Sequence, residues 1–245
     1  MRLIYILSSL LIFSSISLAQ VNVSGPISVN TTWSKANSPY IVTGNVTVNT
    51  GYILTIETGT LVQFNAGTNL YINGALNANG TTVDTIVFTA NSLTPTVGYW
   101  GGIVLNNSTI GSQTIMNYCV IKYAGTGGCC SARSPIVLDG RINPRLSNLT
   151  LYNDVHNAIE LMSNTYNQNI TLDVTDKPYF VIGGLSIATG YTMTMKPGVI
   201  IKMDIGYNDI GISGALNAIG KPDSLITFTS IKDDSSGNND SNGDG

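Results

Sequence analysis

A long internal duplication constrains the fold of this chain more than any single motif does. The stretch from Pro39 to Thr89 recurs from Pro178 to Thr229, first at an offset of 139 residues and then, after one added residue between Gly206 and Ile212, at an offset of 140. Such duplications are typical of repeat architectures, in which each unit buries its apolar face only against its neighbours. We therefore expect one stacked structure.

The duplication preserves apolar character at alternate positions while the residue identities change. The apolar pairs of the first copy are 46/48, 54/56, 62/64 and 70/72, and each step of eight residues contains a glycine or an Asn-rich turn. The counterparts of the first three pairs are Leu185, Ile187, Met193, Met195, Ile201 and Met203. Alternation with period two predicts strands buried on one face. If three such strands close one coil, a coil has roughly 24 residues and the duplication spans about six whole coils.

Several strings of residues carry a resemblance to a known family. They are Thr55–Phe64, Asn73–Gly80, Ile86–Thr89, Tyr99–Ile103, Tyr118–Tyr123 and Pro144–Thr150. Together they resemble secreted bacterial right-handed parallel β-helix repeat proteins of the pectin-lyase-like group. The resemblance implies an all-β, right-handed parallel β-helix that forms a single elongated domain over residues 39–230. Residues 20–38 would form an N-terminal lead or cap, and 231–245 an Asp/Asn/Gly-rich loop.

An antiparallel β-sandwich is the alternative architecture, because turn signals every 8 to 12 residues suit it equally well. Repeat units of roughly 50 residues are too short to be independent sandwich domains, which favours the solenoid. The abundance of Asn, Thr, Gly and β-branched residues excludes a helical fold.

The N-terminus indicates the compartment. Residues 1–19 carry one charge, Arg2, followed by an apolar run and the small-residue site Ser17-Leu18-Ala19, which is typical of a secretory signal peptide. An uncleaved membrane anchor is the alternative. We expect a secreted or cell-surface protein with no transmembrane segment after cleavage. Charged residues make up 10% of the chain and the net charge is −3, so we expect no nucleic-acid partner.

The three cysteines predict little chemistry. Cys119 lies in phase with Ile115 and Ile121 on an alternating run, so we expect a free thiol in the core. Cys129 and Cys130 are adjacent, and one of them could pair with Cys119 or with another chain in an oxidising compartment. Their spacing fits no zinc site.

The acidic tail contains half of a calcium-binding loop. Asp240, Asn242 and Asp244, followed by Gly245, match the first positions of a D-x-N-x-D-G loop, in which alternating oxygens surround a hard cation. The alternative is a solvated polar loop without metal. No other cofactor is expected. The second copy lacks the Trp-Gly-Gly strand that follows the first, so we expect a truncated chain whose further domains lie beyond residue 245.

The densest group of reactive side chains lies between residues 122 and 160. Its members are Arg133, Asp139, Arg141, Arg145, Asp154, His156 and Glu160. A polysaccharide lyase needs a base and usually calcium, and a glycosidase needs two carboxyl groups across the bond. Most of these residues fall in predicted turns, where charged residues occur by default, so no catalytic residue can be assigned.

Aromatic residues point to binding as a third class of function. Tyr52, Tyr71, Tyr99, Trp100, Tyr118, Tyr123 and Tyr191 recur on alternating runs, where rings can stack on sugars or partner side chains. For Trp100 we expect structural packing against Gly101 and Gly102 instead.

These observations favour a non-catalytic secreted or cell-surface rod with a structural or adhesive role, which binds an extracellular polysaccharide or a surface protein weakly. The alternative is a carbohydrate-active β-helix enzyme whose site lies in the 133–160 turns or beyond the end of this chain.

Overall fold

The computed structural model describes residues 20–106, 111–126, 134–139, 141–204 and 209–235. Over these residues the chain is an all-β parallel solenoid of about eight turns and forms a single elongated domain. Two three-residue 3₁₀ turns lie between strands, at Lys35–Asn37 and Gly111–Gln113. The strands are, in chain order, β1 Val21–Ile27, β2 Thr31–Trp33, β3 Tyr40–Val48, β4 Ile53–Ile56, β5 Leu61–Phe64, β6 Asn69–Ile72, β7 Ala75–Asn79, β8 Ile86–Ala90, β9 Gly102–Leu105, β10 Ile115–Asn117, β11 Cys119–Lys122, β12 Ile136–Leu138, β13 Arg145–Ser147, β14 Thr150–Tyr152, β15 Ile159–Leu161, β16 Thr165–Tyr166, β17 Ile170–Leu172, β18 Tyr179–Val181, β19 Leu185–Ile187, β20 Thr192–Met195, β21 Ile200–Met203, β22 Ile210–Ile212, β23 Ala215–Ala218 and β24 Thr227–Ser230.

Successive coils stack their strands into rows. Row 1 runs from the first half of β3 through β5, β8 and β11 to β14, and row 2 runs from the second half of β3 through β6, β9, β12, β15, β18 and β21 to β24. Row 3 contains β2, β4, β7, β10 and β13; row 4 contains β16, β19 and β22; row 5 contains β17, β20 and β23. Every ladder between these strands is parallel, which excludes the antiparallel sandwich.

The core lies inside the coils and is built from the alternating positions that the sequence indicates. The first-copy pairs are at most 2% exposed: Val46, Val48, Leu54, Ile56, Val62, Phe64, Leu70 and Ile72. Within each row, the buried residues of successive coils pair in register, for example Val46 with Leu70 and Tyr40 with Val62. The prediction of strands buried on one face is therefore confirmed. Since parallel strands bury their apolar sides against the coils above and below, the column of aliphatic side chains is continuous.

One corner shows why the duplication keeps a glycine. The amides of Asn73 and Gly74 both donate to the carbonyl of Val48 (2.8 and 3.0 Å), and Ser213 and Gly214 donate to Ile187 in the same way (2.9 and 3.0 Å). A Cβ atom on either glycine would overlap carbonyl oxygens of the neighbouring coil. The corner therefore requires glycine because the backbones approach too closely for a side chain.

The two copies are one row out of step, which contradicts the expected whole number of coils. The first copy starts with the row 1 half of β3, whereas its counterpart β18 lies in row 2. The physical reason is that coil length varies. The register offset is 24 residues between Val46 and Leu70, 33 between Ile103 and Ile136, and 20 between Ile159 and Tyr179.

An asparagine side chain bridges the point where the rows change. Asn143, just before β13, donates to the carbonyl of Asn169 (3.1 Å) and accepts from the amide of Thr171 in β17 (2.9 Å). Asn169 repeats the contact by accepting from Thr192 in the next coil (2.8 Å). Stacked side-chain amides thus hold the coils together between row 3 and row 5.

The segment 20–38, expected to be a lead or cap, carries β1 and β2, which pair with β3 and β4 and complete the first coil. Trp33 of β2 is 3% exposed and stacks on Tyr40 with ring centroids 5.1 Å apart. The signal peptide predicted for 1–19 lies outside the described residues. Within the described ranges, no helix has the length and apolarity that a membrane crossing requires.

Candidate functional site

Asp139 and Arg141 form a local ion pair at a corner between rows 2 and 3. The guanidinium donates to both carboxylate oxygens, from Nε to Oδ1 at 2.8 Å and from a terminal nitrogen to Oδ2 at 2.6 Å. Asp139 is 3% exposed, and Asp139 Oδ1 also accepts from the Arg141 amide. The hydrogen bond to the buried Asp139 carboxylate raises the pKa of Arg141 above its ordinary value. A forked pair of this kind orients the turn and leaves both side chains engaged.

The remaining reactive side chains of the predicted 133–160 cluster do not all lie on one surface. Arg145 is exposed on the outer side of row 3, whereas Glu160 lies on the outer side of row 2 between Val137 and Phe180. His156 lies at the corner between rows 1 and 2, where its ring contacts Phe180 with centroids 4.9 Å apart. Arg133 lies outside the described residues. The structure therefore does not gather the cluster into one constellation.

Row 2 carries a buried lysine that the sequence does not mark. Lys202 pairs with Phe180 and Thr229 on the outer side of the row, and it is fully buried. Its Nζ donates to the carbonyl of Asp233 in the segment after β24. The ammonium group thus ties the end of the last strand to the preceding coil, which is a structural role.

Asp154 is the one buried carboxyl group of the corner between β14 and β15. It is 5% exposed, and its Oδ1 accepts a 2.7 Å hydrogen bond from the amide of Ala124 in the preceding coil. Its Oδ2 has no hydrogen-bond partner among the described residues. Burial raises the pKa of Asp154 to about 8, against the smaller lowering effect of the bonds from the Ala124 and Tyr152 backbones. Near neutral pH this carboxyl group therefore stays largely protonated.

Lys122 and the ring of Tyr152 lie on the outer side of row 1, beside Tyr123, whose ring is partly buried against the core. Lys122 pairs with Tyr152 across β11 and β14, and its Nζ lies 5.6 Å from the centre of the Tyr152 ring and 5.9 Å from that of Tyr123. Tyr152 is 38% exposed. We call these three residues the row 1 patch. A ring face beside an ammonium group offers both apolar contact and hydrogen-bond donation.

The backbone on both sides of β11 is unusual for tyrosine. Tyr118 and Tyr123 have φ values of 47° and 64°, in the left-handed region, and thirty residues later the same positions hold Asn148 and Asn153 with φ of 49° and 56°. Asparagine tolerates this conformation, whereas a bulky residue there costs about 1 kcal/mol or more. The coil of β11 therefore keeps two tyrosines at positions that favour a smaller residue.

The sequence indicated Tyr123 as a binding residue but missed Lys122 and Tyr152 as its companions. The missing signal was the register of β11 against β14, which pairs Val120 with Thr150. Once that offset is known, the alignment of residues 118–123 with 148–153 brings Lys122 opposite Tyr152.

The other predicted aromatic residues have mainly structural contacts. Trp100 is fully buried and stacks on Phe64, with centroids 3.8 Å apart, and its Nε1 donates to the Lys122 carbonyl at 2.9 Å. The structural role of Trp100 is confirmed. Glycine is required at position 101 for a different reason from the expected ring contact, because a Cβ atom there would overlap the side chain of Asn69. Tyr52, Tyr71 and Tyr99 are partly buried against core residues, and Tyr191 is 37% exposed.

Two polar clefts offer weaker candidate sites. One of about 460 Å³ lies outside row 4 and is lined by Ser163, Thr165, Ser186 and Asp209 among others, and one of about 350 Å³ lies outside row 3 near Lys35. In the first cleft the hydroxyls are already used, because Ser163 donates to the Gly183 carbonyl and Ser186 donates to Thr165. Neither cleft offers an exposed ring.

The described residues offer few groups for metal binding or thiol chemistry. Cys119 is fully buried, and burial raises the pKa of its thiol to about 12, which makes it an inert core residue as expected. Cys129, Cys130 and the predicted calcium ligands Asp240, Asn242 and Asp244 lie outside the described residues. Among the residues that are described, no group of three or more His, Cys, Asp and Glu side chains could hold a metal ion.

The comparisons with known proteins agree with the architecture. Residues 25–127 match the family model described as a pectate-lyase like beta helix domain. This segment contains most of rows 1 and 3 and includes Lys122 and Tyr123 of the row 1 patch. No curated protein and no solved structure matches the chain significantly.

Proposed function

We propose that this chain, a pectin-lyase-like parallel β-helix repeat protein, is a non-catalytic rod that binds a polysaccharide weakly on its outer surface. The single observation that carries the proposal is the row 1 patch, Lys122 with Tyr123 and Tyr152. It combines an exposed ring with a cation on a rigid strand pair.

The chemistry of the patch suits a sugar. The face of a tyrosine ring packs on the C–H face of a pyranose, and the Lys122 ammonium can donate to sugar hydroxyl or carboxylate oxygens. Because strands β11 and β14 hold both side chains, little conformational entropy is lost on binding. The positive φ of Tyr123 adds support, since strained backbone of this kind clusters at ligand sites.

A rod of this kind fits an extracellular protein. The leader-like residues 1–19 support secretion or display at the cell surface, and the low content of charged residues suits a surface that contacts polymers without strong ionic binding. Analysis of the N-terminal residue of protein recovered from the culture medium tests this part of the proposal. Recovery of the chain only inside cells would contradict it.

Binding without turnover is the test of the proposed function. The purified chain should bind a subset of polysaccharides on a glycan array and should leave their chain length unchanged. Tyr152→Ala should weaken binding about tenfold, because a stacked ring contributes on the order of 1 to 2 kcal/mol. Tyr191→Ala is the matched control, since Tyr191 is 37% exposed compared with 38% for Tyr152 and lies in the other half of the rod. Equal losses in the two variants would refute the assignment of the patch.

One observation favours the alternative, a carbohydrate-active enzyme. A carboxyl group that stays protonated near pH 7, as Asp154 does, has the property that a general acid needs. Its 5% exposure argues against contact with a polymer. Incubation with pectin, alginate and similar polymers tests this alternative. Cleavage by the wild-type chain that disappears in Asp154→Asn would favour the enzyme over the rod.

Calcium binding at Asp240, Asn242 and Asp244 is a separate part of the proposal. It is supported only by the spacing of three oxygen-bearing residues before Gly245. A calorimetric titration of the chain with Ca²⁺ should show binding that the Asp240→Asn, Asp244→Asn double variant lacks. Identical titrations of the two proteins would contradict the site.

A further inference from the structure

The edge of the row 1 patch is closed by a corner of the next coil. Tyr123 is followed by Ala124, and the corner after β14 binds both polar backbone groups of Ala124. The Ala124 amide donates to Asp154 Oδ1 at 2.7 Å, and the Ala124 carbonyl accepts from the Val155 amide at 3.0 Å. Asp154 and Val155 therefore hold the segment after β11 against the segment after β14.

The carboxyl group of Asp154 takes a place that a backbone carbonyl has in a regular ladder. Extension of the register between β11 and β14 brings Ala124 opposite Asp154. In a regular parallel ladder the carbonyl of the preceding residue, Asn153, would accept from the Ala124 amide. Asn153 has a φ of 56°, in the left-handed region, so the backbone leaves the extended path and the Asp154 side chain accepts instead. One of the two bonds that end this contact thus depends on a titratable side chain.

The surroundings of this carboxyl group favour its uncharged form. Asp154 is 5% exposed, and burial raises its pKa to about 8. Asp154 Oδ2 is buried and has no hydrogen-bond partner among the described residues. A carboxylate here would be a buried charge without a counter-ion, which is strongly unfavourable. It regains hydration only if the corner moves towards water, and that movement breaks the bond to Ala124.

Other titratable groups on the elements around this corner do not explain the preference. They are Lys122 and Tyr123 at the end of β11, Tyr152 of β14, His156 of the corner itself, Glu160 of β15, and Asp176 with Lys177 before β18. Lys122 lies beside the Tyr152 ring, and Lys177 pairs with Asp176 at 3.4 Å. Burial is the largest cause of the raised pKa of Asp154, and no charge among the described residues contributes to it.

We propose that the uncharged carboxyl group of Asp154 is the positioning group of the row 1 patch, so that the patch binds its polysaccharide only while Asp154 holds its proton. The inference rests on the proposed function of the patch. Asp154 acts through Ala124, since this backbone segment sets the position of Lys122. Release of the proton to solvent breaks the bond between the two coils, and the cation and the exposed ring of the patch no longer form one surface.

The first test needs no ligand. Hydrogen exchange of the purified chain is measured by mass spectrometry in peptides that cover residues 118–126 and 150–157, at pH 6, 7, 8 and 9, with correction for the intrinsic effect of pH. Protection in the wild type should fall about tenfold between pH 7 and pH 9, because the protonated fraction of Asp154 falls by that factor. In Asp154→Asn the amide oxygen still accepts from Ala124 and carries no charge, so protection should stay constant.

The second test is the glycan array, probed with the same two proteins over the same pH range. The affinity of the wild type should fall about tenfold between pH 7 and pH 9, because only the protonated fraction binds. Asp154→Asn should bind like the wild type at pH 7 and keep that affinity at pH 9. Lys122, Tyr152 and His156 are present in both proteins, so any effect of their own titration cancels.

Two further variants identify the bond to Ala124 as the cause, and circular dichroism confirms that each is folded. Asp154→Ala removes the acceptor itself, so it should bind as weakly at pH 7 as the wild type does at pH 9. Asp223→Asn is the matched control, because it removes a carboxyl group from an exposed turn before β24, and it should follow the wild type.

The outcomes separate this inference from the proposed function. Absence of glycan binding at every pH would refute the proposed function, and hydrogen exchange would then decide the role of Asp154 alone. Wild-type protection that is the same at pH 7 and pH 9 would overturn the inference. So would a loss of glycan binding with rising pH that is equal in the wild type and in Asp154→Asn.

Discussion

The stability of the coil around Asp154 should fall as the pH rises from about 4 to about 8. The pKa of this carboxyl group is raised by burial from 3.8 to about 8 in the folded chain. Between these two values the unfolded chain has released the proton and the folded chain still holds it. Since stability falls with pH wherever the native state binds more protons, the contribution of Asp154 is fully present below pH 4 and is lost as the pH passes 8.

The size of the effect follows from the same difference. Each pKa unit corresponds to about 1.4 kcal/mol, so a difference of about four units corresponds to on the order of 5 kcal/mol between pH 4 and pH 9. In Asp154→Asn the side-chain oxygen can still accept from the Ala124 amide, and no charge forms at any pH. We expect the variant to lie within about 1 kcal/mol of the wild type at pH 4.5 and to exceed its stability by several kcal/mol at pH 9.

Trp100 reports on this region, because it bridges to Ala124 and its indole donates to the Lys122 carbonyl. Urea unfolding is followed by tryptophan fluorescence at pH 4.5, 6, 7.5 and 9 for both proteins. His156, the only histidine, is present in both proteins, so its contribution to the difference between their stabilities cancels. Parallel pH profiles for the two proteins would show that Asp154 is ionised in the folded chain and that the reasoning is wrong.

Two further changes test the coil geometry and the core. Gly74→Ala should destabilise the chain by about 1 to 3 kcal/mol, because the added Cβ overlaps carbonyl oxygens of the neighbouring coil, whereas Gly44→Ala, where the nearest atom would lie 3.4 Å away, should cost under about 1 kcal/mol in urea unfolding. In a variant without Cys129 and Cys130, Cys119 should react with iodoacetamide only in denaturant, since its thiol is fully buried; mass spectrometry that finds it labelled in the folded chain would contradict this placement.

The repeat pattern was sufficient to predict the fold because the core depends on a local signal. Val46 and Val48, like Leu54 and Ile56, alternate with polar residues, and period-two alternation on short strands has one physical explanation, a sheet buried on one face. The glycine turns between the strands supplied the corners. Parallel pairing followed from the resemblance and from the short repeat, and all ladders between the strands agree with it.

The phase of the second copy could not be predicted from the same signal. An average coil of about 24 residues places β18 in row 1, but the actual offsets, which vary from 20 to 33 residues along row 2 alone, place it in row 2. Loops of different lengths between the strands leave the register of the ladders intact, so the fold tolerates variation in loop length and the sequence shows no fixed period.

Surface chemistry is harder to predict than the core for a related reason. Whether Lys122 meets Tyr152 depends on a register of 30 residues between their strands, and a shift of one residue would turn one of the two side chains into the core. The burial of Asp154 depends in the same way on the stacking of its corner against Ala124. In a solenoid the residues that bind a ligand are separated by whole coils, and their proximity is fixed by loop lengths that the apolar pattern does not encode. The positive φ of Tyr123 is therefore the more direct guide to the proposed binding surface. It marks a position where the local backbone favours asparagine but the chain has a tyrosine.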